Sequence, residues 1–315
     1  MRVISAPCPD TDAALLEAFR QHLADRDLAP ATVQAYLSDL TRLQAWLAWV
    51  HEDKAPLLTQ VRTVDLAAFR THLIHEQAHP PATVNRRLQG LRLLFQWLVA
   101  CNWMAENPTT HLRFMRKSGT LQPLALRRQE VFALLHAAAV SPHRLAPRNV
   151  ALVQLMLQAG LRVGEVTALT PADLTLKTRA GTVHVRDGKG RKARDVPLNT
   201  TVRRALQDYL GTQPEKAAGA PIFLSKRGTS LAVRSVQAVV TRLAQQAGIE
   251  RIAVSAQTLR HTFARHYLQQ HPGKLRELAD LLGHESLDTT AVYTKPSQDE
   301  IAVDLERSPL NVFNL

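Results

Sequence analysis

The chain has 315 residues, more than one hydrophobic core usually organises, so two domains are expected. It carries 39 lysine and arginine residues against 27 aspartate and glutamate residues, and the formal charge of +12 favours a polyanionic partner, with nucleic acid first. The apolar stretches are too short to span a bilayer, so we expect a soluble cytoplasmic protein with no membrane partner. The two cysteines form neither a disulfide framework nor a zinc set, and we expect neither a metal nor another cofactor.

The first 108 residues have the periodicity of helices. Apolar residues recur at helical spacing over 33–50, 66–73 and 84–98, and an earlier amphipathic stretch precedes them, so four helices are predicted. Two stretches, PATVQAYLSDLTRLQAWL and PATVNRRLQGLRLLFQWL, are alike, and Thr32 and Thr83 are predicted as their N-caps. The likeness reflects either two ordinary capped amphipathic helices or two helical hairpins whose N-termini hold the phosphates of one ligand.

A basic segment separates this region from the rest of the chain. Residues 107–129 contain five arginine or lysine residues and no acid, with proline and glycine between them, and we predict an interdomain linker over 109–126. The segment is either a solvated loop or a strap on a phosphate backbone, and the absence of acid favours the strap. The residues predicted to contact DNA in the first domain and this segment are Thr32, Thr83, Arg86, Arg87, Arg116 and Lys117.

Residues 127–315 are predicted to form a second, mostly helical domain with a small antiparallel sheet. Helical patterns cover EVFALLHAAAV, RNVALVQLMLQAGLRVGEVTAL and three later stretches. Between them, Val183 and Val185 alternate with polar neighbours, which predicts a strand that returns as ARDVPL. The turn of this hairpin, RDGKGRK, contains Lys189 at its tip, and Arg191 and Lys192 beside it are candidates for contact with DNA.

Four short motifs of the second domain contain residues suited to phosphate chemistry. They are GLRVGE with Arg162, GKGRKARDVPL with Lys189, TLRHTFA with Arg260, and LLGHESLDTTAVYT with His284 and Tyr293. Each residue alone has an ordinary structural explanation, such as a cap, a solvated turn or core packing. In their order and spacing, however, the motifs resemble those of the tyrosine recombinases, or phage integrase family, and most closely its compact Xer-like members. The resemblance covers nearly the whole chain.

The resemblance implies a mainly α fold, with a four-helix SAM-like core-binding domain and an α-rich catalytic domain. It also implies site-specific DNA recombination, in which Tyr293 attacks a phosphodiester to give a 3′-phosphotyrosyl link and a free 5′-hydroxyl. The guanidinium groups of Arg162 and Arg260 then stabilise negative charge on the phosphate oxygens. Lys189 protonates the departing 5′-oxygen, and His284 donates a hydrogen bond to the phosphate. Because the covalent link conserves bond energy, the reaction requires neither ATP nor metal.

The implied partner is double-stranded DNA with core recombination sites, on which the chain forms a tetramer, alone or with a second recombinase. Residues 297–315 are expected to form a tail helix, with Ser297 and Glu300 as a capping box and Ile301 and Leu305 as an apolar stripe. This helix packs either on its own domain or on a neighbouring protomer. Two other functions stay open: a type IB topoisomerase-like nicking-closing enzyme, and a DNA-binding regulator with weakened catalysis.

One position departs from the pattern of the family, which has histidine three residues before the second arginine. Here that residue is Gln257, predicted to share a helix face with Arg260. Glutamine donates a hydrogen bond, but it does not accept and return a proton as imidazole does. We therefore expect slower cleavage rather than none. His261 is not expected to substitute, because one residue along a helix rotates the side chain by about 100°. Transfer of the tyrosine proton to His284 or to water stays open.

Overall fold

The chain divides into two compact units, Met1–Thr120 and Leu121–Leu315. The computed structural model describes residues 7–26, 28–52, 55–116, 123–141, 145–186, 193–213, 219–225, 227–295, 301–302 and 305–307. Both units are mainly helical and the second contains a small antiparallel sheet, which confirms the predicted fold class. None of the helices within these residues has the length and apolar character that crossing a membrane requires.

The described part of the N-terminal unit is built from α1 (Asp12–Asp25), α2 (Pro30–His51), α3 (Thr63–Thr71) and α4 (Pro81–Ala100). A turn of π-helix over His72–Glu76 extends α3. The apolar faces of the helices meet in one core, whose fully buried members include Phe19, Leu40, Leu43, Leu66, Leu91 and Leu94. Burial of these amphipathic faces is the main stabilising contribution to the unit.

The predicted N-caps of α2 and α4 are wrong. Each helix begins at the proline of its PAT sequence, so Thr32 and Thr83 are the third helical residues and cap nothing. Proline suits the first helical position because it lacks the N–H group that would have no intrahelical partner there, and because its φ is already helical. Both threonines are half-buried within the first turn.

The first residues of the predicted linker pack on the N-terminal unit. The Asn85 side chain donates to the carbonyl oxygen of Met115 at 2.9 Å and accepts from the N–H of the same residue at 2.8 Å. The guanidinium of Arg92 lies 4.3 Å from the ring centre of Phe114, a cation–π contact. Arg116, the next residue along the chain, is exposed. These contacts from α4 hold residues 114–115 against the helical unit.

The helices described in full for the C-terminal unit are α5 (Arg128–Ala139), α6 (Ala146–Gln158), α7 (Val163–Ala168), α8 (Thr200–Gly211), α9 (Val233–Gln246), α10 (Ala256–Gln270), α11 (Leu275–Leu282) and α12 (Leu287–Ala291). The unit is organised around α6, a helix buried on nearly every side. Helices α5, α8 and α10 pack against α6, which explains why most of its residues are apolar.

The sheet of this unit has three strands in the order β1 (Leu174–Leu176), β2 (Gly181–Val185) and β3 (Arg194–Pro197), all antiparallel. Val183 pairs with Val196 on β3 and with Leu174 on β1, and both valines are buried in the core. The predicted hairpin is therefore present as β2 and β3. The structure adds β1, whose three residues are too few for alternation to be visible in the sequence.

The tail is described only in part. Residues 301–302 and 305–306 are helical, whereas Ser297 and Glu300 lie outside the described residues. Ile301 is 43% exposed and Leu305 is 66% exposed. The two apolar side chains of the predicted stripe are therefore not covered by the described part of their own unit.

Candidate active site

Three arginines from different segments meet at the C-terminal end of α11. Three consecutive carbonyl oxygens, of residues 281, 282 and 283, accept from Arg194 Nε at 2.8 Å, Arg260 Nη2 at 2.7 Å and Arg162 Nη2 at 3.0 Å, in that order. The last carbonyls of a helix lack intrahelical partners and form the negative end of the helix dipole. The end of α11 therefore attracts the three positive side chains and fixes their positions.

Gly283 makes this arrangement of α11 possible. It ends the helix in the left-handed conformation, with φ 62° and ψ 53°, which glycine adopts without the strain of a Cβ. A Cβ at this position would lie only 2.7 Å from Arg194 Nη1. The glycine before His284 is thus required both by the backbone turn and by the close approach of an arginine.

Glu165 balances part of this positive charge. Its carboxylate accepts from Arg162 Nη1 at 2.9 Å, and from Arg194 Nη1 and Nη2 at 3.1 and 2.9 Å. Its Oε2 also lies 4.0 Å from Arg260 Nη1. Burial raises the pKa of Glu165, but the hydrogen bonds from Arg194 and Arg162 outweigh burial and hold that pKa below its ordinary value. Three guanidinium groups thus face one carboxylate, and the cluster keeps an excess of positive charge.

Arg260 is the most buried of the three arginines, with 1% of its surface exposed. Besides the end of α11, it donates from Nη1 to the carbonyl oxygen of Gly160 at 2.6 Å, in the turn that follows α6. Burial, and then the charge of Arg162, lower the pKa of Arg260 to about 9. The guanidinium is therefore still charged at neutral pH, and a bound anion would relieve its repulsion by its neighbours.

His284 connects Arg260 to α12. Its Nε2 is 3.0 Å from Arg260 Nη2 and its Nδ1 is 2.8 Å from Oγ1 of Thr290, a residue of α12 with no exposed surface. A guanidinium only donates, so Nε2 accepts and the ring proton is on Nδ1. Burial, and then Arg260, lower the pKa of His284 to about 4, so the ring is neutral at pH 7. With both ring nitrogens engaged, the predicted hydrogen bond to phosphate requires His284 to release Arg260 and to carry a proton on Nε2.

Tyr293, just after α12, lies against α10. Its Oη is 2.5 Å from Nδ1 of His261, and the two ring centres are 5.5 Å apart. Burial raises the pKa of Tyr293, and the charges of Arg260 and Arg162 oppose that rise. The rotation of about 100° between neighbouring helix residues is the reason not to expect His261 as a substitute for the missing imidazole, but in the structure that rotation carries it to Tyr293. Gln257, the second residue of α10, is exposed.

Replacing Thr290 with valine is expected to lower the free energy of unfolding by about 1–3 kcal/mol, because the substitution keeps the shape but leaves Nδ1–H of His284 without an acceptor. Chemical denaturation of the full chain measures the change. The exposed neighbour Thr289 gives the matched control, and Thr289→Val should stay within about 0.5 kcal/mol of the wild type. Equal effects of the two substitutions would contradict the assigned bond.

The sequence profile of the phage integrase family matches residues 125–300, and that of the N-terminal SAM-like domain of phage integrases matches residues 16–102. The chain belongs to the phage integrase family. One match falls in each compact unit, and the match in the C-terminal unit includes the small sheet.

Several curated relatives of this integrase-family chain are named tyrosine recombinase XerC. The protein of Neisseria gonorrhoeae is 33% identical over 93% of this chain and 94% of its own length. The protein of Halalkalibacterium halodurans is 34% identical over 88% of this chain and 90% of its own length. Among solved structures, a post-cleavage complex of the XerH recombinase with a palindromic difH substrate has a TM-score of 0.70, at 21% identity over 97% of this chain and 99% of the other. A lambda integrase dimer bound to a COC′ core site has a TM-score of 0.70, at 20% identity over 91% of this chain and 96% of the other. This chain therefore shares the fold of both solved structures.

The residues that this integrase-family chain was predicted to use against DNA have varied positions. Arg86 is an exposed residue of α4 that forms a bidentate ion pair with the buried Asp39 of α2. Arg87 is 7% exposed, with its Nε 3.7 Å from Oδ1 of the same aspartate, so Arg86 is the better placed of the two to contact a ligand. The remaining basic candidates, Lys117, Lys189, Arg191 and Lys192, lie outside the described residues.

Four residues of the cluster were not identified from the sequence. Glu165 and Arg194 lie inside the GLRVGE and GKGRKARDVPL motifs, so their signal was present although their roles were not apparent. Thr290 lies inside the motif that ends at Tyr293 and gives no signal of its own. His261 is the fourth: the rotation along α10 argues against it, and only the approach of Tyr293, which follows α12, brings the two side chains into contact.

Proposed function

We propose that the chain is a site-specific DNA recombinase that cuts and rejoins DNA through a 3′-phosphotyrosyl intermediate on Tyr293. Membership of the phage integrase family supports the reaction. The assignment of the nucleophile rests on the position of the Tyr293 hydroxyl. It lies 2.5 Å from Nδ1 of His261, the residue that follows the buried Arg260. A hydroxyl beside such an excess of positive charge is suited to attack a phosphodiester.

The arginine cluster holds and activates the phosphate. Arg162 and Arg260 present permanently charged planar donors, and the negative charge that accumulates on phosphate oxygens in the transition state increases their attraction. Both side chains are already held by backbone carbonyls, at 3.0 and 2.7 Å on the α11 side. These contacts set the positions of both guanidinium groups before the phosphate reacts, which is the condition under which such donors are most effective.

We assign the protonation of the departing 5′-oxygen to Lys189, which lies between β2 and β3 in the sequence. The assignment rests on the GKGRK sequence, in which a glycine on each side allows close approach of the backbone to DNA. A lysine in a basic pocket has a lowered pKa and so becomes an effective general acid.

The partner we assign is double-stranded DNA that carries core recombination sites. The formal charge of +12 supports it, as do the structural neighbours solved on DNA. Arg86 and Arg116 are exposed and available for phosphate contacts, so affinity should fall steeply with salt. We also propose that the chain acts as a tetramer on DNA, alone or with a second recombinase, and the exposed Ile301 and Leu305 suit a tail that docks on another protomer.

The test is capture of the covalent intermediate. DNA duplexes that bind the full chain are first selected from a random-sequence pool. Each selected duplex is rebuilt with a nick near the crossover, so that cleavage becomes irreversible. The reaction products are then resolved on denaturing protein gels. We expect an adduct with the wild type and none with Tyr293→Phe. Tyr267→Phe is the matched control, because Tyr267 is a half-buried tyrosine of α10 that bonds Glu277, and it should form the adduct normally. Retained DNA without any adduct would overturn the proposal in favour of a DNA-binding regulator.

A further inference from the structure

We propose that His261 is the catalytic proton acceptor for Tyr293, in a site where Gln257 offers no imidazole. The inference rests on the proposed function, because it requires Tyr293 to be the nucleophile.

The geometry places an acceptor at the reacting oxygen before DNA is bound. Nδ1 of His261 is 2.5 Å from Oη of Tyr293, within the range of a direct O–H···N hydrogen bond. The tyrosine hydroxyl has one proton, and a neutral imidazole with its own proton on Nε2 presents a lone pair at Nδ1. His261 is half-buried, so its ring can exchange the proton with water after the step.

The other groups of the cluster are poorly placed to accept this proton. Nε2 of His284 already accepts from Arg260, and its Nδ1 carries the ring proton that points to Thr290. The carboxylate of Glu165 is engaged by Arg162 and Arg194. Among the described titratable side chains of the cluster, His261 is the one that contacts the Tyr293 hydroxyl.

The electrostatic state of His261 suits an acceptor that acts once DNA arrives. Burial, and then the adjacent Arg260, lower the pKa of His261 to about 4, so the ring is neutral and able to accept at pH 7. A phosphodiester at Arg260 would offset that positive charge and raise the basicity of the ring. A base with a pKa closer to the working pH is more effective in general-base catalysis.

In the cleavage step, the proton of the Tyr293 hydroxyl moves to Nδ1 of His261 while Oη forms a bond to phosphorus. The bond between phosphorus and the 5′-oxygen breaks, and that oxygen takes a proton from the general acid assigned to Lys189. In the rejoining step, the 5′-hydroxyl of a partner strand gives its proton to the now neutral Lys189 and attacks the phosphotyrosine. The bond between phosphorus and Oη breaks, and protonated His261 returns its proton to the tyrosine oxygen. Charge and atoms balance in each direction, and no further reactant is needed.

The experiment measures single-turnover cleavage of the nicked duplexes by the full chain. His261→Ala is expected to cleave about 10²-fold more slowly or worse, the usual loss when a general base is removed. His261→Asn keeps an acceptor oxygen near the place of Nδ1 but cannot take up the proton, so it should be similarly slow. Added imidazole should restore part of the rate to His261→Ala only. His266→Ala, a half-buried histidine on the same helix with no bond to Tyr293, is the matched control and should cleave at the wild-type rate.

A second substrate distinguishes loss of the general base from loss of the general acid. A duplex with sulfur in place of the bridging 5′-oxygen has a leaving group that needs no proton, so it should rescue Lys189→Ala but leave His261→Ala slow. Rescue of His261→Ala by this substrate would overturn the inference. So would wild-type cleavage by His261→Asn, which would show that a hydrogen bond is sufficient.

The result separates this inference from the proposed function. If the wild type forms the Tyr293 adduct while folded His261→Ala cleaves within about threefold of it, the inference fails and the recombinase assignment stands. If the wild type forms no adduct on any retained duplex, the proposed function fails and the inference fails with it. Thermal unfolding of each variant shows whether a slow variant is folded.

Discussion

Arg260→Met is expected to reduce cleavage by at least about 10³-fold, because loss of one transition-state donor typically costs 10²–10³-fold and a guanidinium supplies two. The same substitution should lower the free energy of unfolding by about 2–5 kcal/mol. Two buried carbonyl oxygens, of Gly160 and Leu282, would lose the donors that now lie 2.6 and 2.7 Å away, and each unsatisfied group costs about 1–3 kcal/mol. Single-turnover cleavage and chemical denaturation measure the two effects.

Two further variants show which property of Arg260 is required and how large an unrelated substitution's effect is. Arg260→Lys keeps the charge but has no planar fork, so it should regain part of the stability and little of the activity. Arg276→Met removes an exposed arginine of α11 and should change the free energy of unfolding by no more than about 0.5 kcal/mol. An active lysine variant would show that charge alone, rather than paired donors, is what the phosphate requires.

Glu165→Gln is expected to lower the free energy of unfolding by about 3–5 kcal/mol at pH 7, as when one partner of a buried ion pair is removed. The substitution keeps the shape of the side chain but leaves three neighbouring guanidinium groups without their carboxylate. Denaturant unfolding measures the loss, and Glu285→Gln, at an exposed acidic residue, is the control. A Glu285→Gln variant that loses as much stability would show that the effect is general rather than local.

The stability difference between the wild type and Glu165→Gln should depend on pH. The folded-state pKa of Glu165 is below its ordinary value, so its contribution is fully present above the unfolded pKa of about 4.3. The contribution is lost as pH falls through the lower, folded-state pKa, and the difference should narrow in that range. It should also narrow when DNA is bound, because a phosphate supplies negative charge to the same arginines. A difference that is constant with pH would contradict the assigned ionisation.

The elements best predicted from sequence are those whose structure is decided locally. Periodicity identifies α2, α4 and the β2–β3 hairpin, because each buries one face of a regular element. The predicted N-caps are wrong because each helix already begins at a proline, which lies two residues before the threonine. Helix α8 is absent from the predicted elements, although its sequence has the apolar periodicity of a helix. The buried residues Val202, Ala205, Leu206 and Tyr209 recur at helical spacing.

The candidate site shows where a pattern of residues is not sufficient. The motifs identified Arg162, Arg260 and Tyr293 as candidates, and the structure brings all three to one region of the C-terminal unit. No motif shows that three arginines share the end of one helix, because those contacts join segments more than 20 residues apart. Helix rotation predicts the direction of His261 relative to Arg260 alone, whereas its contact with Tyr293 depends on how the segment after α12 lies against α10.

The three backbone contacts at the end of α11 also constrain how many residues this helix can have. The carbonyls of residues 281–283 each meet a different arginine, and each arginine comes from a separate segment. One residue inserted into or deleted from Leu275–Leu282 would rotate that end by about 100° and move it by about 1.5 Å. All three carbonyls would then miss their donors at once. Variation in chain length should consequently be tolerated in surface connections of this unit but not within α11.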